Sequence, residues 1–284
     1  YRTPVFLRPR RFGKTMWCSI LECYYDVRRK NDFGWLFGKT EIGRNPTKLA
    51  NSFLVLRLNF STVEVGAEGD LATIERSFNR RVTEAVGAFA EYYGKYADLS
   101  AAARAETAID AVESLRTALS AAQRSGKRTP PVYVIIDEYD NFMNQLIVAK
   151  RDGDYEMLVS KTSFLKNFFK AVKAGIEEDG VIGRTYITGV LPVVLDDLTS
   201  GFNVATMVNL RPELLGMLGF TQRDVDRYVG EIYAEYGFDE TRKAATLAEL
   251  KALYDSYRFL PSQEGTLYNS TILNYYLDEF IRND

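Results

Sequence analysis

Arg8-Pro9-Arg10-Arg11-Phe12-Gly13-Lys14-Thr15 is the stretch that decides the fold. A short apolar run, Pro4-Val5-Phe6-Leu7, leads into it, and a helical pattern from Met16 to Val27 leads away. Strand, tight loop ending in Gly-Lys-Thr, then helix is the layout of a cradle for nucleotide phosphates. In such a cradle the loop N–H groups and the helix N-terminus face the phosphates. The lysine ammonium reaches the β- and γ-phosphates, and the threonine hydroxyl holds Mg²⁺. Arg10, Arg11, Phe12, Gly13, Lys14, Thr15 and Met16 are therefore the candidate nucleotide-binding residues. The usual pattern, G-x-x-x-x-G-K-[ST], has its first glycine at position 8. Here that position is Arg8, with Pro9 next.

The chain has 284 residues, 46% apolar and 26% charged, enough for a full core in one or two domains. A net charge of −2 gives no global basic surface for nucleic acid. Histidine is absent, which excludes imidazole acid–base chemistry, histidine metal sites and Ser-His-Asp triads within these residues. Cys18 and Cys23 are the two cysteines. On one helix they point about 140° apart, so two reduced thiols are expected rather than a bridge. No apolar run reaches the roughly 20 residues of a membrane span, and no signal peptide opens the chain. The expectation is a cytoplasmic protein with no membrane attachment.

Going outward from the loop, residues 4–7 read as a buried strand and 14–27 as a helix. Residues 28–52 are rich in turn signals and read as loop with short helical pieces. Phe53 to Phe60 is a strand. Helices follow at 70–93, with the stripe Leu71, Ile74, Phe78, Val82, Val86, and at 103–124. Val132-Tyr133-Val134-Ile135-Ile136 is a strongly apolar, β-branched run and reads as a buried parallel strand. Helices are expected at 141–150 and 155–178, and a strand from Ile182 to Thr188.

Strands separated by helices predict a doubly wound, mostly parallel α/β sheet with its ligand at the strands' carboxyl ends. Beyond residue 190 helices dominate, at 212–218, 221–236, 244–258 and 270–282, with a capping start at Thr221-Gln222-Arg223-Asp224. The expected division is an α/β core over 1–205 and a helical subdomain, lid or winged-helix-like, over 206–284.

The strand at 132–136 ends in Asp137-Glu138-Tyr139-Asp140, roughly 120 residues after the loop. That is the second half of a P-loop ATPase site. Asp137 would bind Mg²⁺ along with Thr15, and Glu138 would orient or deprotonate the attacking water. Thr188, at the end of the next strand, either contacts the γ-phosphate or the water, or bonds only to backbone. Asp140 reads as a cap for the helix starting near Asn141, with a catalytic role as the alternative. Arg10 and Arg11 either face phosphates or tie the loop to nearby acids. Arg184 and Arg211 are weaker candidates for a charge-stabilising arginine. Tyr228, Tyr233 and Tyr236 read as a packed helix face. Tyr257-Arg258-Phe259 and Tyr268-Asn269 read as core, with a lid over the nucleotide as the alternative.

These residues resemble the AAA-ATPase-like domain of prokaryotic proteins that often carry a C-terminal PD-(D/E)XK nuclease-like domain. The resemblance rests on Arg8 to Thr15, Ile136 to Asp140, Thr188-Gly189-Val190 and Leu198 to Asn203. It continues through Gly219-Phe220-Thr221, Tyr257-Arg258-Phe259 and Tyr268-Asn269-Ser270. It implies a P-loop NTPase fold of the ASCE type and makes the arginine at position 8 a family trait. It further implies ATP and Mg²⁺ as cofactors, with Lys14 and Thr15 binding phosphate and Mg²⁺ and Asp137 and Glu138 as the acidic pair; Thr188 stays a candidate catalytic residue, beside Lys14 and Glu138, from its place at the strand end. The expected partners are ATP, a second copy of the chain, and nucleic acid through an attached nuclease-like domain. The alternative reading is a P-loop scaffold that senses nucleotide or binds a partner without hydrolysis.

Overall fold

The structure is a computed structural model describing residues 1–66, 71–103, 110–126, 129–148, 153, 156, 163–178, 180–191 and 202–283. The chain forms two compact units, Tyr1–Leu7 with Cys18–Met207 and Arg8–Trp17 with Val208–Asp284. The sequence pattern predicts a single boundary after residue 205 and keeps residues 8–17 with the sheet. In the structure those residues group with the C-terminal ones.

The first unit is built on strands β1 (Pro4–Leu7), β2 (Leu54–Asn59), β3 (Val132–Asp137), β4 (Ile182–Gly189) and β5 (Thr206–Met207). They lie in the order β2-β3-β4-β1-β5, all pairs parallel. β3 is buried at every residue because it has a strand on either side and helices on both faces. β4, which carries Thr188, therefore lies between the strand that feeds the Gly-Lys-Thr loop and the strand that ends in Asp137. β5 has two residues, too few to show a period, and the sequence does not announce it.

Helices α1 (Lys14–Tyr25), α2 (Phe33–Phe37), α3 (Glu41–Arg44), α4 (Leu71–Tyr93), α5 (Ser100–Ala103), α6 (Ala111–Arg124), α7 (Asn141–Val148) and α8 (Phe164–Glu177) connect the strands. On one sheet face Val5, Leu56, Val134 and Ile136 share a core with Phe78 and Val82 of α4, Leu115 of α6 and Phe168 of α8. On the other, Arg57 of β2 meets Ser19 of α1, and Tyr133 of β3 packs on Tyr25 of the same helix. Helices on both faces of a parallel sheet make this a doubly wound α/β fold, consistent with that expected of a P-loop NTPase.

The stripe predicted for α4 is buried from Ile74 to Val86, with Leu71 at its edge. Two helices start later than predicted, each behind a cap: Asp110 accepts from the Val112 N–H, and Ser163 from the Lys166 N–H. The stretch at 157–162, part of the predicted 155–178 helix, lies outside the described residues, as does Leu198 to Gly201.

The second unit contains α9 (Gln222–Tyr236), α10 (Lys243–Tyr254), α11 (Ser270–Asn283) and an antiparallel pair, β6 (Asp255–Tyr257) with β7 (Leu267–Tyr268). Val225, Val229, Leu250, Leu273 and Leu277 form its core. The capping start of α9 is a full capping box between Thr221 and Asp224. The helix predicted over 244–258 stops at Tyr254, where the chain turns into β6, and 212–217 is a 3₁₀ turn. Tyr233 is buried, while Tyr228 and Tyr236 are exposed, so one of the three tyrosines carries the packed face. Among the described residues no helix is long and apolar enough to cross a membrane.

Candidate functional site

In the first unit, β3 delivers Asp137 to the carboxyl edge of the sheet, opposite Asn59 of β2. Asp137 is fully buried. Glu138, half-buried, follows with φ 53°. A left-handed backbone costs a residue with a side chain about 1–2 kcal/mol, and such strain collects at functional turns. Here it bends the chain between the two acids.

The next two residues lock β3 to β4. The Tyr139 hydroxyl donates to the Leu191 carbonyl. Asp140 is fully buried, and its Oδ2 accepts from the N–H groups of Val190 (2.9 Å) and Leu191 (2.6 Å) and from Asn144 Nδ2 (3.0 Å). The sequence predicts Asp140 as a helix cap. Its carbonyl does accept the Asn144 N–H, but its carboxylate holds the end of the neighbouring strand. A Cβ on Gly189 would fall 2.4 Å from Asp140 Oδ1, so only glycine fits there.

Thr188 pairs with Phe6 in the parallel register of β4 and β1. Fully buried, its hydroxyl donates to the Phe6 carbonyl at 2.7 Å. The single hydroxyl proton is thereby committed to backbone, the second of the two roles the sequence allows. Arg184 lies four residues earlier on β4, about 13 Å back along the strand, where it donates to the Tyr1 carbonyl at 2.6 Å. That places it away from the carboxyl edge, and it is no candidate for stabilising charge there. Burial pushes the phenols of Tyr133 and Tyr186 well up, so both stay protonated near neutral pH.

One residue at this edge is missed by the motif reading. Arg57, on β2, reaches α1 and β3 together. Its Nη1 donates to Ser19 Oγ at 2.8 Å and to Glu22 Oε2 at 3.1 Å, and its Nη2 lies 3.8 Å from Asp137 Oδ2. A signal was present, since an arginine inside Leu54-Val55-Leu56-Arg57-Leu58 is a charge in a buried strand, and such a charge needs a partner.

In the second unit, the loop takes a shape that its sequence explains. Arg11 (φ 69°) and Gly13 (φ 82°) are both left-handed. Lys14 is buried, and its ammonium donates to the carbonyls of Arg8 (3.0 Å) and Pro9 (2.9 Å). The Arg10 carbonyl accepts from Asn269 Nδ2 at 3.1 Å, and the Arg11 carbonyl from Thr271 Oγ1 at 2.8 Å and Thr271 N at 3.2 Å. Ser270 Oγ lies 3.5 Å from the Phe12 carbonyl. In a trans peptide the N–H points opposite to the carbonyl. With these carbonyls drawn to one side, the N–H groups of Arg11, Phe12 and Gly13 turn to the other. Successive amides aimed one way, with left-handed residues among them, form a nest for an anion.

Arg8 does not face a ligand. It is fully buried, with Nη1 on the Asn209 carbonyl and Nη2 on the Leu215 carbonyl, each at 2.9 Å. Its guanidinium carbon sits 4.1 Å from the centre of the Phe259 ring. Phe12, expected among the nucleotide-binding residues, is likewise fully buried, edge-on to Tyr257 (4.8 Å) and Phe259 (5.9 Å). Its side chain anchors the loop, and only its backbone N–H is left to the nest. Tyr257 and Phe259 are thus packing residues, as the sequence favours, and what they pack on is the loop itself. Gly219 lies under the same ring, where an added Cβ would come within 2.9 Å of Phe12 Cε1. Arg10, Arg11, Thr15 and Met16 are exposed. Among the described residues neither Arg10 nor Arg11 has a carboxylate partner, so the acid-tying role offered for them is not used.

A family model described as a predicted AAA-ATPase, AAA-ATPase-like, matches residues 1–199. The chain belongs to this AAA-ATPase-like family. No curated protein and no solved structure matches it. The matched span holds the Gly-Lys-Thr loop, Asp137-Glu138 and Thr188. The residues of this AAA-ATPase-like chain that hold the loop carbonyls, Asn269 to Thr271, lie beyond it.

Proposed function

We propose that the protein binds ATP with Mg²⁺ and hydrolyses it to ADP and phosphate, and that the cycle drives a conformational switch regulating an attached or partner nuclease-like domain. The observation that carries the reading is the amide nest over Arg11, Phe12 and Gly13, with its carbonyls tied down on the opposite side. In sequence it follows β1 by four residues, on the chain segment that leads from that strand into α1. The donor set fits the cofactor as well. Thr15 offers a hydroxyl and Asp137 a carboxylate, hard oxygen ligands of the kind Mg²⁺ takes. Mg²⁺, when bound, neutralises charge on the β- and γ-phosphate oxygens.

In this reading the nest and the Lys14 ammonium bind the phosphates. Glu138 orients a water and accepts its proton as the water oxygen attacks the γ-phosphorus. The bond to the bridging oxygen breaks and ADP leaves with its electrons. The strained backbone at Glu138 supports that role, because it sets the direction in which the side chain leaves the backbone, next to Asp137.

The test is hydrolysis and binding of labelled ATP by wild type, Lys14→Ala and Glu138→Gln. Lys14→Ala loses binding. Glu138→Gln binds at wild-type affinity and turns over at least about 100-fold more slowly. A wild type that neither binds nor hydrolyses ATP with Mg²⁺ ends the proposal. Tight binding without turnover leaves the sensing reading, which the committed Thr188 hydroxyl favours.

A further inference from the structure

Three consecutive residues, Asn269-Ser270-Thr271, donate to carbonyls of the phosphate loop, Ser270 at the longest distance, 3.5 Å. Asn269 is the helix cap: its Oδ1 accepts from the N–H groups of Thr271 (3.2 Å) and Ile272 (3.3 Å). Its other side-chain atom, Nδ2, holds the Arg10 carbonyl. One amide group, 2% exposed, therefore defines where α11 begins and which way the Arg10–Arg11 peptide faces. Thr271 does the same for the next peptide through both its hydroxyl and its backbone N–H. Neither pair arises from chain proximity, since some 260 residues separate the partners.

We propose that Asn269 and Thr271 are positioning residues for the phosphate loop, and that through them α11 senses whether the loop holds phosphate. The inference rests on the phosphate-cradle reading above. The peptide planes supply the coupling. A phosphate that accepts the N–H of Arg11 or Phe12 polarises the peptide and makes its carbonyl a better acceptor, which tightens the bond to Asn269 or Thr271. Linkage makes the effect reciprocal: whatever draws the start of α11 off the loop weakens phosphate binding by the same factor. A partner acting on the C-terminal unit would thus set nucleotide affinity without touching the nucleotide.

Two variants separate this role from plain stability. Asn269→Ser keeps a capping oxygen but cannot reach the Arg10 carbonyl. Thr271→Val keeps shape and backbone N–H but loses the hydroxyl bond. Amide hydrogen exchange is followed on the full chain, with and without Mg-ATP, and ATP affinity is measured alongside. Without nucleotide, the Thr271 amide, which donates to the Arg11 carbonyl, should exchange roughly ten-fold faster in Asn269→Ser than in wild type, as expected when the adjoining Arg10 carbonyl loses its hold. With Mg-ATP, the wild type should gain protection both in the loop and at residues 270–277. The variants should gain it in the loop alone and bind ATP roughly ten-fold more weakly.

The proposal is overturned if ATP protects the wild-type loop but leaves residues 270–277 unchanged. Equal exchange of the Thr271 amide in nucleotide-free wild type and both variants overturns it as well. If ATP alters exchange nowhere in the wild type, the ATP reading fails and the sensing role with it. The nucleotide-free comparison then still decides whether Asn269 holds the loop.

Discussion

Replacing Arg8 by glycine would restore the usual phosphate-loop pattern, and the structure predicts that it destabilises the protein. The guanidinium holds the Asn209 and Leu215 carbonyls and covers the Phe259 ring. Removing it leaves the buried Leu215 carbonyl and the part-buried Asn209 carbonyl without that donor, at about 1–3 kcal/mol each. Loss of the cation–π contact adds about 1–2 kcal/mol, and glycine in place of a fixed residue adds about 0.5–1 kcal/mol of backbone entropy. Release of the guanidinium from its desolvated site offsets part of this. The net loss should be about 3 kcal/mol. With a urea slope of about 2 kcal/mol per molar, the midpoint falls by about 1.5 M. Tryptophan fluorescence is a suitable probe, because Trp17 lies in the same compact unit while Trp35, 86% exposed, changes little on unfolding. Arg8→Lys should recover less than half, since one ammonium cannot match a planar fork that bonds two carbonyls and stacks on a ring. A midpoint for Arg8→Gly within about 0.3 M of wild type would refute the reasoning and return Arg8 to the ligand side of the loop.

Two further outcomes follow from particular contacts. Arg57→Gln and Asp137→Asn, combined in a double-mutant cycle of urea stability, should show a coupling of about 1 kcal/mol or more, and additivity would mean that the 3.8 Å approach carries no energy. Burial, reinforced by Asp255 and Asp226, pushes the Tyr268 phenol up to about 12 from an ordinary 10.0, while its hydroxyl donates to Gln222. The folded state thus favours the protonated phenol, and its contribution is whole below pH about 10 and lost as the pH rises toward about 12. Tyr268→Phe should flatten that alkaline loss of stability; an unchanged alkaline limb would assign it to another group.

The sheet was legible because its strands differ in kind from everything between them. Val132 to Ile136 has no polar residue, and only a strand covered on both faces tolerates that. The Gly-Lys-Thr loop and the Asp-Glu pair were legible because each is a short local pattern at a strand end. Arg8 was readable as a departure from pattern but not as an anchor. Its partners are carbonyls of Asn209 and Leu215, and a backbone carbonyl has no residue identity to read. The same holds for Asn269, whose partner is the Arg10 carbonyl. Asp140 shows the complementary failure: a local cap was the natural reading, and two N–H groups some 50 residues later took the carboxylate instead. Local rules rank local partners, and burial at 0% exposure lets a distant pair of donors win.

The described chain has three left-handed residues other than glycine, and two of them are Arg11 and Glu138. Each costs about 1–2 kcal/mol, and each sits at a motif rather than at an ordinary turn. Strain of this kind persists only where the surroundings over-determine the backbone, and here they do. Arg11 is fixed by two bonds from Thr271 to its carbonyl. Glu138 is followed by Tyr139 and Asp140, whose side chains are both bonded to the end of β4. Val190-Leu191, just after β4, and Asn269-Ser270-Thr271, at the start of α11, thus do the same job in the two units. Each holds a strained backbone from behind, so that its front, an amide nest in one and an acidic pair in the other, is set before any ligand arrives. Rigid display of this kind is what electrostatic stabilisation of a transferring phosphoryl group requires, because donors that must first reorganise give back what they contribute.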